Sequence, residues 1–210
     1  MKKNFISVLI IILFSVAPAL SQISESTWQK WDQEMLNKAN TAKNISWLSD
    51  EEKKIIQLCN LARLNGPLFA ETFLTDYLID KKASKYSRSL KKDLNKLDKL
   101  QVLEPDKVLH EIARGHAEIS GKRGTTGHQR FKSRYSNLFK QGFTSYAENC
   151  AYGFEDAVKN VMELLIDEGI SNLGHRKNIL NPEFNAIGVS IIPHKRYQFN
   201  CVMSFGGRRN

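Results

Sequence analysis

The chain is 210 residues long and carries a formal charge of +9, from 31 lysines and arginines against 22 acidic residues. That length suits one domain of ordinary size with its own core, and no segment beyond the N-terminal stretch is apolar for long enough to cross a bilayer. Excess positive charge points to nucleic acid only where a recognition element accompanies it, so its placement along the chain decides its meaning.

The first stretch, MKKNFISVLIIILFSVAPALSQ, has a basic start in Lys2 and Lys3, then an apolar run from Phe5 to Val16. Ala19 and Ser21 hold the small-residue positions of a cleavage site before Gln22. This is the pattern of a secretory signal peptide over residues 1–21, and it predicts export, either periplasmic or extracellular. An uncleaved membrane anchor is the alternative, disfavoured by the short apolar run. Cleavage would leave about 189 residues with a charge of about +7, because Lys2 and Lys3 go with the leader.

Residues 22–48 hold Trp28, Trp31 and Trp47 without a clean period, which reads as an N-terminal extension with one short helix docked through its tryptophans. The stretch SDEE at 49–52 is a capping box, Ser49 as N-cap and Glu52 three positions on, and it opens a domain running over 49–210. Its helix carries Ile55, Leu58, Cys59 and Ala62 on one face and stops near Asn65-Gly66-Pro67. A second helix follows with Leu68, Phe69, Phe73, Leu74, Tyr77 and Leu78.

Much of the positive charge lies in KKASKYSRSLKKDLNKLDK, residues 81–99, interleaved with Asp93, Asp98 and apolar positions. That pattern predicts a solvated helix face, and no aromatic platform or nucleic-acid motif accompanies it. Attraction to anionic headgroups or cell-wall polymers is a weaker reading of the same charge.

The next helix begins at Pro105 in PDKVLHEIARGHAEISGKRG, with Val108, Leu109, Ile112, His116 and Ile119 on one face. Gly121 and Gly124 end it, and a loop rich in Gly and Thr delivers His128. Residues 145–153 read as a strand and 155–168 as a helix. AIGVSII, a turn at Pro193-His194-Lys195 and YQFNCVMSF then form a terminal hairpin. Its last strand alternates Tyr197, Phe199, Cys201, Met203 and Phe205 with polar or smaller residues, which predicts one buried face. Helices come first and strands cluster late, so the expected class is α+β rather than a doubly wound parallel sheet.

Three cysteines in an exported chain suggest one disulfide and one spare thiol. Cys150 and Cys201 both sit in strand-like stretches and are the expected pair, worth about 3–4 kcal/mol in the chain-entropy model. Cys59 in KIIQLCNLAR reads as a buried thiol.

The titratable residues on short, constrained backbone are His128 in TTGHQRF, Glu148 in YAENC and His175 in NLGHRKNILN, with Asp167 and Glu168 nearby in sequence. Two imidazoles and one or two carboxylates have the chemistry to bind a divalent metal or to share protons. His116, on an apolar helix face, reads as a packed and hydrogen-bonded core residue, and His110 and His194 as surface residues. In NLGHRKNILN, Gly174 frees the backbone to turn and Ile179 with Leu180 anchors it. Arg176 and Lys177 oppose the helix dipole and are expected to face solvent or a carboxylate, while Asn178 holds the turn.

Four pieces, CNLARLNGPLFAETF, GHAEISGKRGTTGHQRFKSRY, AENCAYGFEDAV and GHRKNILNPEFNAIGVSII, occur in this order over about residues 50–206. Through them the chain resembles the CAP superfamily (cysteine-rich secretory proteins, antigen 5 and plant pathogenesis-related proteins) in its bacterial SCP-like form. The resemblance implies an α-β-α sandwich with a cleft lined by two histidines and two acids. Carried over by position, these are His128, Glu148 and His175, with Asp167 favoured over Glu168 for the second acid. The aromatic position that precedes this acid in the family is Leu164 or Leu165 here.

The resemblance favours a binding module: His128 and His175 hold Zn²⁺ or another divalent cation, with no organic cofactor, and the cleft takes a lipid, a cell-envelope polymer or a protein. A monomer that does not bind nucleic acid is expected. A second reading is a metal-assisted hydrolase, peptidase or cell-wall or ester hydrolase, with His128 or His175 as base and Glu148 orienting it. Ser145 and Ser171 are near in sequence, but no nucleophile motif supports them. A third makes the cluster purely structural.

Overall fold

In a computed structural model, which describes residues 23–208, the capping box at Ser49 closes as its sequence implies. The Ser49 hydroxyl accepts from the Glu52 N–H at 3.3 Å, and the Glu52 carboxylate accepts from the Ser49 N–H at 2.8 Å. The other Glu52 oxygen accepts from the Ile191 N–H at 2.9 Å, so the cap also pins the helix to the sheet. The signal-peptide reading of 1–21 lies outside the described residues. Among the described residues no helix is long and apolar enough to cross a membrane.

Helices α1 (Glu25–Gln29) and α2 (Gln33–Ala39) precede this cap, two rather than the single one expected. Trp31 is buried and donates to Thr72 Oγ1 at 3.1 Å, and Trp28 meets the Phe73 ring edge-on at 4.8 Å. Helix α3 (Asp50–Leu64) ends before Asn65, whose side chain then caps α4 (Gly66–Phe69). A π-turn at Ala70–Leu74 widens the chain before α5 (Thr75–Tyr77). Helix α6 (Lys85–Asn95) buries Ser87, Leu90 and Leu94 and leaves its cations in solvent, the solvated face the charge pattern implies.

Strands β1 (Glu104–Pro105), β2 (Phe143–Tyr152), β3 (Ala186–His194) and β4 (Gln198–Arg208) form one sheet in the order β1-β3-β4-β2. The β1–β3 pairing is parallel, and the other two are antiparallel. The main core, with α3 and α9 (Ala157–Ile166), covers the face carrying Cys201, Met203 and Phe205. Helix α7 (Lys107–Arg123) covers the face carrying Val202, through Ala113 and Ala117. The architecture is thus an α-β-α sandwich of the α+β class.

That second layer corrects several expectations. The last strand is buried on both faces, and its polar side chains find partners there except for the Asn200 oxygen. Asn200 donates to Ala117 O at 3.1 Å, and Ser204 Oγ lies 2.6 Å from the Tyr135 hydroxyl. The hairpin turn falls at 195–197, and Pro193 sits exposed in β3, where β1 no longer pairs and a missing donor costs little. Pro105 belongs to β1, and Asp106 caps α7.

The buried face of α7 is made by Leu109, Ala113, His116, Ala117, Ser120 and Gly121, while Ile119 is 51% exposed. Small residues let the helix approach the sheet closely. A Cβ on Gly188 would lie 2.0 Å from the His110 backbone nitrogen, and one on Gly121 would lie 2.4 Å from Pro193 O. His110 and His194 are buried rather than on the surface, because each ring reaches a backbone carbonyl. His110 Nδ1 donates to Val189 O at 2.7 Å, and His194 Nε2 donates to Thr125 O at 3.0 Å.

The disulfide expectation is overturned: Cys59, Cys150 and Cys201 are all free and buried. Register gives the reason. Cys150 stands opposite Val202, and Cys201 stands opposite Ala151. The two cysteines therefore occupy adjacent register positions and point to opposite faces of the sheet. Cys150 belongs to the α7 side and Cys201 to the main core.

Two measurements check this packing. Protein denatured without reductant should release all three cysteines to a thiol reagent, and a single reactive thiol would restore the bridge. Gly188→Ala should cost more than about 3 kcal/mol in urea unfolding, since backbone rather than a flexible side chain blocks the new methyl. A change below about 0.5 kcal/mol would contradict the close helix–sheet approach.

Candidate histidine–carboxylate site

Strand β2 is an edge strand, and its alternation sends Glu148 toward the α7 side and Asn149 toward the opposite side. Each of these consecutive residues holds one of the two histidines in a different way.

The Glu148 side chain is fully buried and gathers its partners from the segment after α7. His128 Nδ1 donates to Oε1 at 2.9 Å, and Arg134 Nη2 donates to the same oxygen at 2.8 Å. Arg134 Nη1 and the Tyr135 hydroxyl, the latter at 3.2 Å, serve Oε2. Arg134 closes helix α8 (Phe131–Arg134), and its Nε donates to Gln129 O at 3.0 Å, so one guanidinium ties the loop to the strand. Burial pushes the Glu148 pKa up, but the Arg134 and His128 hydrogen bonds and the Arg134 charge outweigh it and hold the carboxyl at about 2.

Opposite, the C-terminus of α9 presents Asp167 in the left-handed region with φ 58°. Its Oδ1 accepts from His175 Nδ1 at 2.7 Å. Its Oδ2 accepts from the backbone N–H groups of His175 at 2.9 Å and Arg176 at 3.3 Å. These are the first donors of helix α10 (Gly174–Ile179), whose own N-cap position, Leu173, supplies no side-chain acceptor. Asp167 thus caps α10 from outside and fixes the ring of His175 with the same carboxylate. Glu168, its neighbour, turns away to accept from Ser84 Oγ at 2.5 Å.

The two halves meet at Asn149, whose amide donates to His175 O at 3.0 Å while its oxygen accepts from Asn178 at 2.8 Å. Asn178 therefore does hold the turn, through a side chain rather than loop backbone alone. Two details of the GHRKN turn differ from expectation. The positive φ falls on Leu173, at 53°, and not on Gly174. Arg176 is buried, although one of its partners is the expected carboxylate: Nη1 donates to Asp93 at 2.8 Å, and Nε and Nη2 donate to Leu165 O and Ile166 O.

His128, Glu148, Asp167 and His175 therefore form two His–carboxylate pairs, and Glu168 joins neither. Both imidazoles use Nδ1 for the carboxylate. The compact set of three potential ligand atoms among the described residues is a different one, His116, Glu148 and Cys150, within 4.8 Å of one another. His116 is packed as expected, with Nε2 donating to Gly127 O at 2.9 Å, and burial lowers its pKa. Burial pushes the Cys150 thiol far up. Arg134, Tyr135 and Asn149 were not singled out from sequence. A fully buried glutamate requires a cation, and Arg134 in the short segment after His128 was the available signal.

Residues 57–205 match the family model described as the cysteine-rich secretory protein family, CAP, and the chain belongs to that family. No curated protein matches it. Among solved structures, an outer surface protein from Borrelia burgdorferi is similar at 25% identity and a TM-score of 0.43, over 59% of this chain and 90% of its own. An extracellular protein containing an SCP domain from Bacillus anthracis shows 23% identity and a TM-score of 0.49, over 76% of this chain and 40% of its own. A cysteine-rich secretory protein from Staphylococcus aureus shows 13% identity and a TM-score of 0.47, over 78% of this chain and 40% of its own. The matched region thus spans less than half the length of the last two proteins.

A carboxyl depressed from 4.5 to about 2 contributes stability that is complete above the ordinary value and lost as the pH falls through about 2. The amount is about 3 kcal/mol. Urea unfolding between about pH 5 and pH 2 should show this loss in the wild type, and a shallower one in Glu148→Gln, which is already destabilised at neutral pH. Parallel profiles for the two proteins would contradict an ionised, compensated Glu148.

Proposed function

We propose that this CAP-family protein is an exported binding module whose cleft holds a divalent cation such as Zn²⁺ on His128 and His175. In this reading the cleft is offered to a lipid, a cell-envelope polymer or a protein partner. The observation that carries the reading is the shared use of Nδ1: each ring donates from Nδ1 to a buried carboxylate, at 2.9 Å for His128 and 2.7 Å for His175. That leaves the Nε2 lone pair as the ligating position, and a carboxylate behind the imidazole is the usual outer support of a metal-bound histidine. Both rings keep solvent access, with side-chain exposures of 48% and 23%. Two neutral imidazoles suit Zn²⁺, which would supply a positive centre for an oxygen of the bound partner.

The His116, Glu148 and Cys150 set suits a cation less well. Both Glu148 oxygens are engaged, so a metal there would strand the Arg134 charge, and the Cys150 thiol resists ionisation. Glu148 is equally ill suited to general-base work, being fully buried, multiply bonded and held at about 2. The two serines near the site in sequence add no support for hydrolysis: Ser145 Oγ is buried without a partner, and Ser171 lies in an exposed turn. Export is supported by the leader pattern of residues 1–21 and by the secretory description of the matching family.

Isothermal titration tests the site. Wild-type protein should bind Zn²⁺ near neutral pH and release it on acidification, as protons compete with the cation for the ligating nitrogens. Binding should vanish in His128→Ala plus His175→Ala, and weaken about 10–100-fold in Asp167→Asn. Equal zinc binding by the wild type and the double variant would sink the assignment.

A further inference from the structure

Helix α3 turns one face toward the N-terminal extension, with Asp50, Lys53, Lys54 and Gln57 at positions i, i+3, i+4 and i+7. Trp28 from α1, with Asn40 and Lys43 from the turn after α2, stands across from that face, and together they line a groove of about 290 Å³. All of these residues except Gln57 precede the stretch 57–205 that matches the family, so the groove is built almost wholly outside the matched region.

Both walls are fixed by contacts outside the groove. The Lys43 N–H donates to Asn40 O at 3.2 Å and closes the turn. Asn60 of α3 donates to Ala39 O at 3.0 Å and to Thr41 Oγ1 at 3.3 Å, and Thr41 donates to Leu103 O at 2.8 Å. Trp28 packs on Phe73 at 4.8 Å and keeps part of its surface in water.

The polar groups facing the groove are largely unengaged. Lys53 lies 3.6 Å from Asp50, but Lys43 and Lys54 have no carboxylate within 4.0 Å among the described residues. The side-chain amides of Asn40 and Gln57 make no hydrogen bond among the described residues. Each amide offers both donors and an acceptor, the combination that vicinal hydroxyls require. Two unpaired ammonium groups call for an anion, and an indole offers a broad apolar surface for a ring. Trp28 is the one apolar side chain in the lining, which leaves no path for an alkyl chain. The volume falls just below the usual ligand-pocket range of about 300–1,000 Å³, which suits one ring with its substituents.

We infer that this groove is a carbohydrate site for an acidic sugar unit, whose ring rests on Trp28 while its hydroxyls meet Asn40 and Gln57 and its carboxylate meets Lys43 and Lys54. It is independent of the histidine cleft, and its occupancy does not require a metal.

Isothermal titration with trigalacturonate in the presence of EDTA tests the inference. Trigalacturonate should bind at least about tenfold more tightly than maltotriose, which has the rings without the carboxylates, and than citrate, which has the carboxylates without the rings. Trp28→Leu and the pair Lys43→Glu plus Lys54→Glu should each weaken binding at least about tenfold. The lysine pair makes no ion pair within the chain, so that variant should keep the wild-type circular dichroism. His128→Ala plus His175→Ala should leave trigalacturonate binding unchanged, which separates this site from the proposed metal site. Citrate binding as tightly as trigalacturonate would reduce the groove to a general attraction for anions and overturn the inference. Equal affinity for maltotriose, full binding by either groove variant, or loss of binding in the histidine variant would overturn it as well. So would no trigalacturonate binding, with binding to phosphatidylglycerol vesicles in its place assigning the lysines to a membrane surface.

Discussion

A charged carboxylate with no solvent access is the constraint around which one half of this molecule is organised. Taking an ion such as Glu148 out of water costs several kcal/mol, and only near-complete hydrogen bonding offsets it. The compensation comes from residues distant in structure type: a histidine on a loop, an arginine ending a one-turn helix, and a phenol that also touches Ser204 on β4. The segment between α7 and β2 has little regular structure, and this single carboxylate gives its residues a common anchor. Tyr135 and Leu138 then add a small apolar cluster against Leu109 and Phe143. Polar demand fixes where the loop goes, and apolar burial follows.

The other half is organised by buried cations that serve carbonyl groups. Arg176 collects the buried C-terminal end of α9, through Leu165 O and Ile166 O, and joins it to Tyr86 O and Asp93 on α6. Arg63, fully buried, donates to Gln101 O, Ile179 O, Asn181 O and Phe184 O, all within 3.0 Å. A planar guanidinium reaches several carbonyls at fixed angles, which a lysine cannot do. Together the two arginines bracket α10 and so determine where His175 stands. Asn149 closes the circuit, because the residue beside Glu148 bonds to His175 O and to Asn178. Residues 148 and 149 thereby make β2 the common support of both histidines.

The parts legible in sequence are those fixed locally. Ser49 and Glu52 meet within one helical turn, and the basic run at 81–99 needs only its own period to declare a solvated face. His128, Glu148 and His175 stand out as titratable residues on short, constrained backbone, and it is the family resemblance that implies their grouping in one cleft. What escaped depends on partners that no local pattern contains. Residues Ala113, Ala117, Ser120 and Gly121 carry too little apolar surface to outvote Ile112 and Ile119, yet smallness is what the close approach to β3 requires. His110, His194 and Arg176 look like surface residues until carbonyl groups of other elements are in place. The cysteines show the limit most sharply, since a shift of one register position separates a bridge from two thiols on opposite faces. Asp167 and Glu168 were separable in principle, because adjacent residues at a helix end diverge strongly once one of them turns left-handed.

Backbone strain gathers where the two histidines are held. Among the described residues, four non-glycine positions have positive φ: Arg130, Asp167, Leu173 and Gln198. Gln198 opens β4 directly after the hairpin turn, where such a conformation closes β3 onto β4. The other three flank the site, Arg130 two residues after His128, and Asp167 and Leu173 at the two ends of the turn that delivers His175. A left-handed conformation costs about 1–2 kcal/mol for a residue with a side chain, and glycine would remove that cost at any of these positions. At 167 glycine would also remove the carboxylate that holds the His175 ring and caps α10, so the strain there is tied to the interaction it enables. Around His128 the local cost is offset by the Arg134–Glu148 pair a few residues away. The chain tolerates unfavourable backbone at the points that set imidazole direction, so each ring is held where its carboxylate places it.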